Sequence, residues 1–183
     1  MEIIETPISG LLIIKPKIFK DDRGYFFESY NKRNFQQAGI DVDFVQDNES
    51  CSVKGVVRGL HFQKPPYAQS KLVRCVKGKV LDIALDIRKD SATYGQYYGV
   101  ELSEDNFLQF FIPKGFAHGF AVLSDIAIFQ YKCDNFYHPE SESGIYLFDE
   151  DLKIDWKLDG VPPILSEKDK RNQEFKNFMT PFD

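Results

Sequence analysis

Histidine, cysteine, methionine and tryptophan are all scarce in this 183-residue chain, and their scarcity narrows what it can do. The three cysteines, Cys51, Cys75 and Cys133, are odd in number and widely scattered. That spacing argues against a closed disulfide framework and a CxxC zinc site, and fits reduced, mostly buried thiols in a cytoplasmic protein. Only three histidines occur, His61, His118 and His138, and the position two after His61 is Gln63, so no His-x-His pair exists. There is no excess of positive charge: 23 Lys and Arg against 28 Asp and Glu leave a net charge of -5. Such a balance offers no basic face for nucleic acid, although a locally positive pocket for a small anion stays open. No apolar run approaches the roughly 20 residues needed to span a bilayer. Nor does a basic-then-apolar leader precede Ile3, so neither a membrane nor a secretory role is expected.

What the chain does have is a hydrophobic content of 43% and aromatics at 15%, enough for a folded core in one domain over 1–183. Seventeen Phe and nine Tyr favour strands. Leu11 to Phe19 predicts a strand, with Pro16 suggesting a sheet edge. Asp21-Asp22-Arg23-Gly24 predicts a turn into a strand over Tyr25 to Tyr30, and Asn31 to Ala38, stopped by Gly39, a short helix capped by Asn31. Beyond Phe44, short strands alternate with turns at Lys77-Gly78-Lys79, Ser103 to Asn106 and Ser124-Asp125, each of which reads as a hairpin. Many short strands punctuated this regularly indicate a β-sandwich or jelly roll. Ser166 to Phe178 predicts a C-terminal helix with Ser166 as its cap.

Val57-Arg58-Gly59-Leu60-His61-Phe62-Gln63 is the most informative run. Strand alternation sends Arg58 and His61 to opposite faces unless Gly59 introduces a bulge that brings them to one site. An Arg beside a titratable His suits a pocket that holds an anion and moves a proton. In Pro113-Lys114-Gly115-Phe116-Ala117-His118-Gly119-Phe120, flanking glycines permit close backbone approach. There His118 fits a corner histidine bonded to backbone as well as it fits a catalytic group. Tyr131 shares a strand face with Phe129 and Ala127, as many core tyrosines do. Ser166-Glu167-Lys168-Asp169 is close to a capping box, in which Asp169 would serve only a helix start. Metal ligation by His61 and His118 with a carboxylate stays geometrically open, but the missing His-x-His weakens it.

Together these segments resemble those of the dTDP-4-dehydrorhamnose 3,5-epimerases. The likeness rests on Asp22 to Glu28, Gln46 to Ser50, Val57 to Gln63, Lys71 to Gly78, Pro113 to Phe120, Tyr131-Lys132-Cys133 and Leu165 to Asp169, in the family's order and spacing. It covers the chain from about Pro7 to the last predicted helix. Gly144 to Asp149 departs from the pattern, with Leu147-Phe148 where a more polar run is expected.

The resemblance implies a mainly β chain folded as a double-stranded β-helix, the cupin jelly roll, with short flanking helices. It implies a metal-independent homodimer that uses no cofactor and acts on a dTDP-linked 4-keto-6-deoxy sugar. In that reading His61 is the base, Asp169 fixes its tautomer, Tyr131 donates a proton from the opposite face, and Lys71 stabilises an enolate. Arg23 and Arg58 face the diphosphate, Glu28, Gln46 and Asn48 hydrogen-bond the thymine or sugar, and Tyr137 stacks on the thymine. Phe26, His118, Glu142 and Lys168 complete the substrate-binding set, and N-terminal strands crossing the dimer place Arg23 and Glu28 in the partner's site. The alternatives are a mono-epimerase inverting C3 or C5 alone, a metal-dependent cupin enzyme, and a sugar-nucleotide-binding cupin without catalysis.

Overall fold

The computed structural model describes residues 1–183. Strands β1 (Glu2–Glu5), β2 (Leu12–Lys15), β3 (Phe19–Asp21) and β4 (Gly24–Phe26) precede helix α1 (Lys32–Gln37). Then follow β5 (Gln46–Val53), β6 (Val57–Gln63), β7 (Lys71–Lys77), β8 (Lys79–Asp86) and β9 (Tyr97–Ser103). The last strands are β10 (Gln109–Ile112), β11 (Phe116–Val122), β12 (Ile126–Cys133) and β13 (Glu142–Gly144). A six-stranded sheet in the order β1-β2-β10-β7-β12-β5 faces a five-stranded sheet in the order β13-β6-β11-β8-β9, and β3 pairs with β4 alone. All of these pairings are antiparallel, and the architecture is the cupin jelly roll.

Three apolar layers hold the sheets. Between them lie Ile13, Val73, Phe110 and Phe129 from the six-stranded sheet and Val80, Ala84, Phe116 and Phe120 from the five-stranded one. Phe120 and Phe129 stack across the interior with ring centroids 4.2 Å apart. Outside the five-stranded sheet, Ile83, Leu85, Ala117 and Ala121 pack under a cover containing Ile145, Leu147, Trp156 and Phe178. Phe35 of α1 and Ile40 cap the outer face of the other sheet on Ile14, Leu72 and Phe111. Strands covered on both faces have no polar side, which is why every residue of β11 is buried and its sequence shows no alternation.

The structure corrects several local expectations. The turns at Lys77-Gly78-Lys79, Ser103 to Asn106 and Ser124-Asp125 are not hairpins. Each carries the chain from one sheet to the other, β7 to β8, β9 to β10 and β11 to β12. Gly78, at φ +75°, is required at such a corner, because a Cβ would sit 2.1 Å from the Ile126 carbonyl oxygen. Pro16 follows β2 and ends it; β2 lies between β1 and β10 and is no edge strand. The strand predicted over Tyr25 to Tyr30 stops at Phe26, whereas α1 starts at Lys32 behind Asn31, the expected cap, with the Asn34 amide donating to the Asn31 side chain.

The C-terminal helix does not form. In its place are 3₁₀ turns at Asp169–Arg171 and Phe175–Asn177. Backbone groups between the two turns are taken by another segment: the Tyr146 amide donates to the Gln173 carbonyl, and the Phe175 amide to Asp149. Tertiary partners therefore outweigh a good helical composition. No helix is long and apolar enough to cross a membrane.

Candidate active site

Between the sheets a cleft of about 450 Å³ opens at the β6 end, lined by Arg58, His61, Lys71, His118, Tyr131, Lys168 and Asp169 among others. Arg58 and His61 reach it together because β6 carries a bulge. Opposite β11, His118 pairs with His61 and Phe120 with Arg58, so one strand spends an extra residue at Gly59-Leu60. Close approach makes this possible: a Cβ on Gly59 would lie 2.5 Å from the Gly119 Cα. The role anticipated for Gly59 is thus visible in the backbone. Ser52 steadies the Arg58 guanidinium, accepting from Nε at 3.2 Å and Nη2 at 3.0 Å.

His61 and Asp169, 108 residues apart in sequence, meet at 2.5 Å between Nε2 and Oδ1. The carboxylate is buried, with a side chain 3% exposed, while the imidazole is 28% exposed and faces the cleft. Burial alone would raise the Asp169 pKa, but hydrogen bonds with His61 and Ser166 hold it below the ordinary carboxylate range. The Asp169 amide still donates to Ser166 Oγ at 3.0 Å, so half of a capping box survives without its helix.

The opposite wall belongs to the six-stranded sheet. Burial pushes the Tyr131 phenol up to about 12, so it stays protonated at neutral pH. The Lys71 ammonium lies 5.7 Å from the centre of the Tyr131 ring. Desolvation lowers its pKa, while Asp82 and Glu142 act on it through space. A proton acceptor on one wall, a proton donor on the other and a cation beside the donor can remove a proton from one face of a ring and return one to the opposite face.

Beside His61, His118 shares its Nε2 with both oxygens of Asp82, at 3.0 and 2.9 Å. Burial pushes His118 down and Asp82 up, so it disfavours the charged form of both partners. Asp82 is a member of the site that sequence reasoning missed. Its signal was there: a lone acid inside Val80-Leu81-Asp82-Ile83-Ala84-Leu85, where an unpaired carboxylate would be costly to bury.

A second group continues from the cleft along its rim. Gln46 donates to Asn48 at 3.0 Å and accepts from the Tyr137 amide at 2.9 Å. The Tyr137 hydroxyl donates to Glu142 at 2.6 Å, and Glu142 also pairs with Lys168. Burial pushes Glu142 up, but these two partners hold its pKa below the ordinary value. Asn48 lies directly across from Tyr131 on the neighbouring strand.

Arg23, Phe26 and Glu28 are not brought to this cleft. Arg23 sits at the tip of the β3-β4 hairpin with its side chain 90% exposed and bonds Asp21. Phe26 is 71% exposed. Glu28 accepts from Asn31 and Asn34 at the start of α1. Leu147, in the run that departs from the family pattern, is buried in the outer cover, and its carbonyl takes the Trp156 indole N–H at 2.8 Å. No three His, Cys, Asp or Glu side chains are grouped so as to hold a metal ion; His61 and His118 each bond a separate carboxylate, Asp169 and Asp82.

Comparison with known proteins gives the same picture. The family model described as dTDP-4-dehydrorhamnose 3,5-epimerase matches residues 5–177. A dTDP-4-dehydrorhamnose 3,5-epimerase of Escherichia coli is 56% identical over 173 residues, spanning 93% of this chain and 92% of its own. A crystal structure of the Legionella pneumophila dTDP-6-deoxy-D-glucose-3,5-epimerase, in complex with dTDP-4-keto-L-rhamnose, superposes with a TM-score of 0.93. Its identity is 50%, covering 97% of this chain and 94% of that one. More distant, at 32% identity and a TM-score of 0.88, is a 3'-monoepimerase of Streptomyces bikiniensis in complex with dTDP-quinovose, over 92% of this chain and 85% of that one. The match over nearly the whole length, on top of a cleft that sets a His-Asp pair against a Tyr and a Lys, places the chain in the dTDP-4-dehydrorhamnose 3,5-epimerase family.

Proposed function

We infer that this chain is a dTDP-4-dehydrorhamnose 3,5-epimerase, an isomerase that inverts C3 and C5 of dTDP-4-dehydro-6-deoxy-D-glucose in dTDP-L-rhamnose biosynthesis. The C4 ketone acidifies the protons on both neighbouring carbons, since either carbanion delocalises as an enolate. His61 removes the proton, with Asp169 fixing its tautomer and supporting the imidazolium. Tyr131 returns a proton to the other face, and Lys71 stabilises the enolate oxygen as an oxyanion hole would. The observation that carries this reading is the 2.5 Å His61–Asp169 contact in a cleft that Tyr131 enters from the facing sheet.

Arg58 takes the diphosphate, where a planar guanidinium suits phosphate oxygens. Gln46, Asn48, Tyr137, Glu142 and Lys168 hold the nucleotide and sugar, with Tyr137 stacking on the thymine and His118 completing the pocket. The protein is a cytoplasmic homodimer of one cupin-type domain per chain. Arg23, Phe26 and Glu28 serve the partner's cleft, which accounts for a hairpin that leaves Phe19, Tyr25 and Phe26 at 53%, 57% and 71% exposure.

The test is incubation of the pure protein with dTDP-4-dehydro-6-deoxyglucose in D2O, following both carbons by NMR. Deuterium at C3 and C5 is expected, with turnover insensitive to chelator. Exchange at one carbon alone would reduce the activity to mono-epimerisation, and no exchange would overturn the reading. Turnover lost to chelator and restored by metal would favour the metal-dependent alternative.

A further inference from the structure

Gln63 occupies the place where a metal cupin would have the second histidine of its His-x-His pair, and it does not line the cleft. It is buried, 4% exposed, at the end of β6. All three of its side-chain hydrogen bonds go to backbone. Nε2 donates to the Tyr67 carbonyl at 2.7 Å and to the Phe136 carbonyl at 3.2 Å, and Oε1 accepts from the His138 amide at 2.8 Å. The last two bonds fall on the residues immediately before and after Tyr137.

The segment around Tyr137 has no strand or helix to hold it, because it runs between the end of β12 and the 3₁₀ turn Pro139–Ser141. Side chains hold it instead. Gln63 brackets Tyr137 from behind, while Gln46 takes the Tyr137 amide at 2.9 Å. Further along, Gln69 donates to the Asn135 carbonyl at 2.8 Å, and the Tyr67 ring stacks on His138 with centroids 3.7 Å apart. The amide is the side chain that fits here, since it donates twice and accepts from one end. An imidazole could not make all three bonds.

We propose that Gln63 is a positioning residue that couples the base-bearing strand to the nucleotide end of the site, fixing Tyr137 through the peptide groups on either side of it. This rests on the reading of Tyr137 as a thymine-stacking residue. Gln63 touches neither substrate nor reacting atoms, so its loss disturbs binding and spares the proton transfers.

The test is a cycle of Gln63→Met, Tyr137→Ala and the double variant, with kcat and KM for the nucleotide sugar and calorimetric affinity for dTDP. Gln63→Met is expected to raise KM and the dTDP dissociation constant roughly tenfold with kcat within about twofold. The double variant should lose no more than about twofold beyond Tyr137→Ala. A fall in kcat with KM unchanged, or effects that multiply in the double variant, would overturn the proposal. Tyr137→Ala leaving KM and dTDP affinity unchanged would instead remove the stacking reading beneath it. Should Gln63→Met fail to fold, Gln63→Asn replaces it in the same cycle under the same criteria, being too short to bridge Tyr67 and Phe136 together.

Discussion

A base can invert a carbon only if its conjugate acid is not the group that returns the proton, and at the residue scale this separates the roles of His61 and Tyr131. His61→Ala should lower kcat by roughly 10²- to 10⁴-fold while dTDP affinity stays within about threefold. Tyr131→Phe should behave differently. His61 can still remove a proton, exchange it with solvent and replace it on the same face, so NMR in D2O should show deuterium entering without inversion. Inversion at the wild-type rate would remove Tyr131 from the mechanism. The pH profile follows from the same pair. With Tyr131 pushed up to about 12, its ionisation leaves activity untouched through ordinary alkaline pH. Burial lowers Lys71, which in the proposed mechanism must be charged to support an enolate, so the alkaline limb of kcat is expected to belong to Lys71, with activity falling as pH rises through its pKa. Lys71→Arg, cationic throughout, should move that limb upward, and an unmoved limb would assign it to another group.

At the element scale the site depends on how closely β6 and β11 approach at the bulge. Gly119 has no left-handed backbone, so replacing it tests proximity alone: a Cβ there would lie 2.6 Å from the Arg58 carbonyl oxygen. Gly119→Ala should push the strands apart, lower the melting temperature and misplace His61 relative to Tyr131. A displacement near 1 Å can cost about 10²-fold in kcat; an unchanged kcat in the folded variant would show that the bulge tolerates expansion. Elements of this kind mark the limit of what sequence can say. Gly59 announced a bulge because strand alternation alone could not bring Arg58 and His61 together, and Asn31 announced a helix start by its capping chemistry. The turn at Gly78 looked like a hairpin because local residues report a change of direction, whereas the choice between pairing and crossing to the opposite sheet is made by long-range contacts. Ser166 to Phe178 has helix-forming residues, yet Tyr146 and Asp149 take the peptide groups of Gln173 and Phe175, and His61 of β6 takes the Asp169 carboxylate. Asp82 and Gln63 went unassigned for the same reason, since His118, which Asp82 bonds, and Phe136 and His138, which Gln63 bonds, lie in segments that only the fold brings near.

For the whole molecule, Arg23 and His61 are the residues that distinguish a self-contained cleft from one shared between copies. If Arg23 serves the partner, Arg23→Ala and His61→Ala are each impaired alone, but a mixed dimer contains one complete site. Co-expression of the two should therefore restore activity well above either parent, as measured on the purified mixed species. No gain would place Arg23 outside the partner's site. The two-sheet construction has a further consequence. His61, His118 and Arg58 ride on one sheet, and Tyr131 and Lys71 on the other, so in the proposed reaction the walls would act as the jaws of a calliper on the sugar ring. The gap is set by the aromatic pair Phe120 and Phe129 stacked between them, which work as a spacer gauge. A change of girth there would be read out as a change of rate with His61 and Tyr131 themselves left untouched.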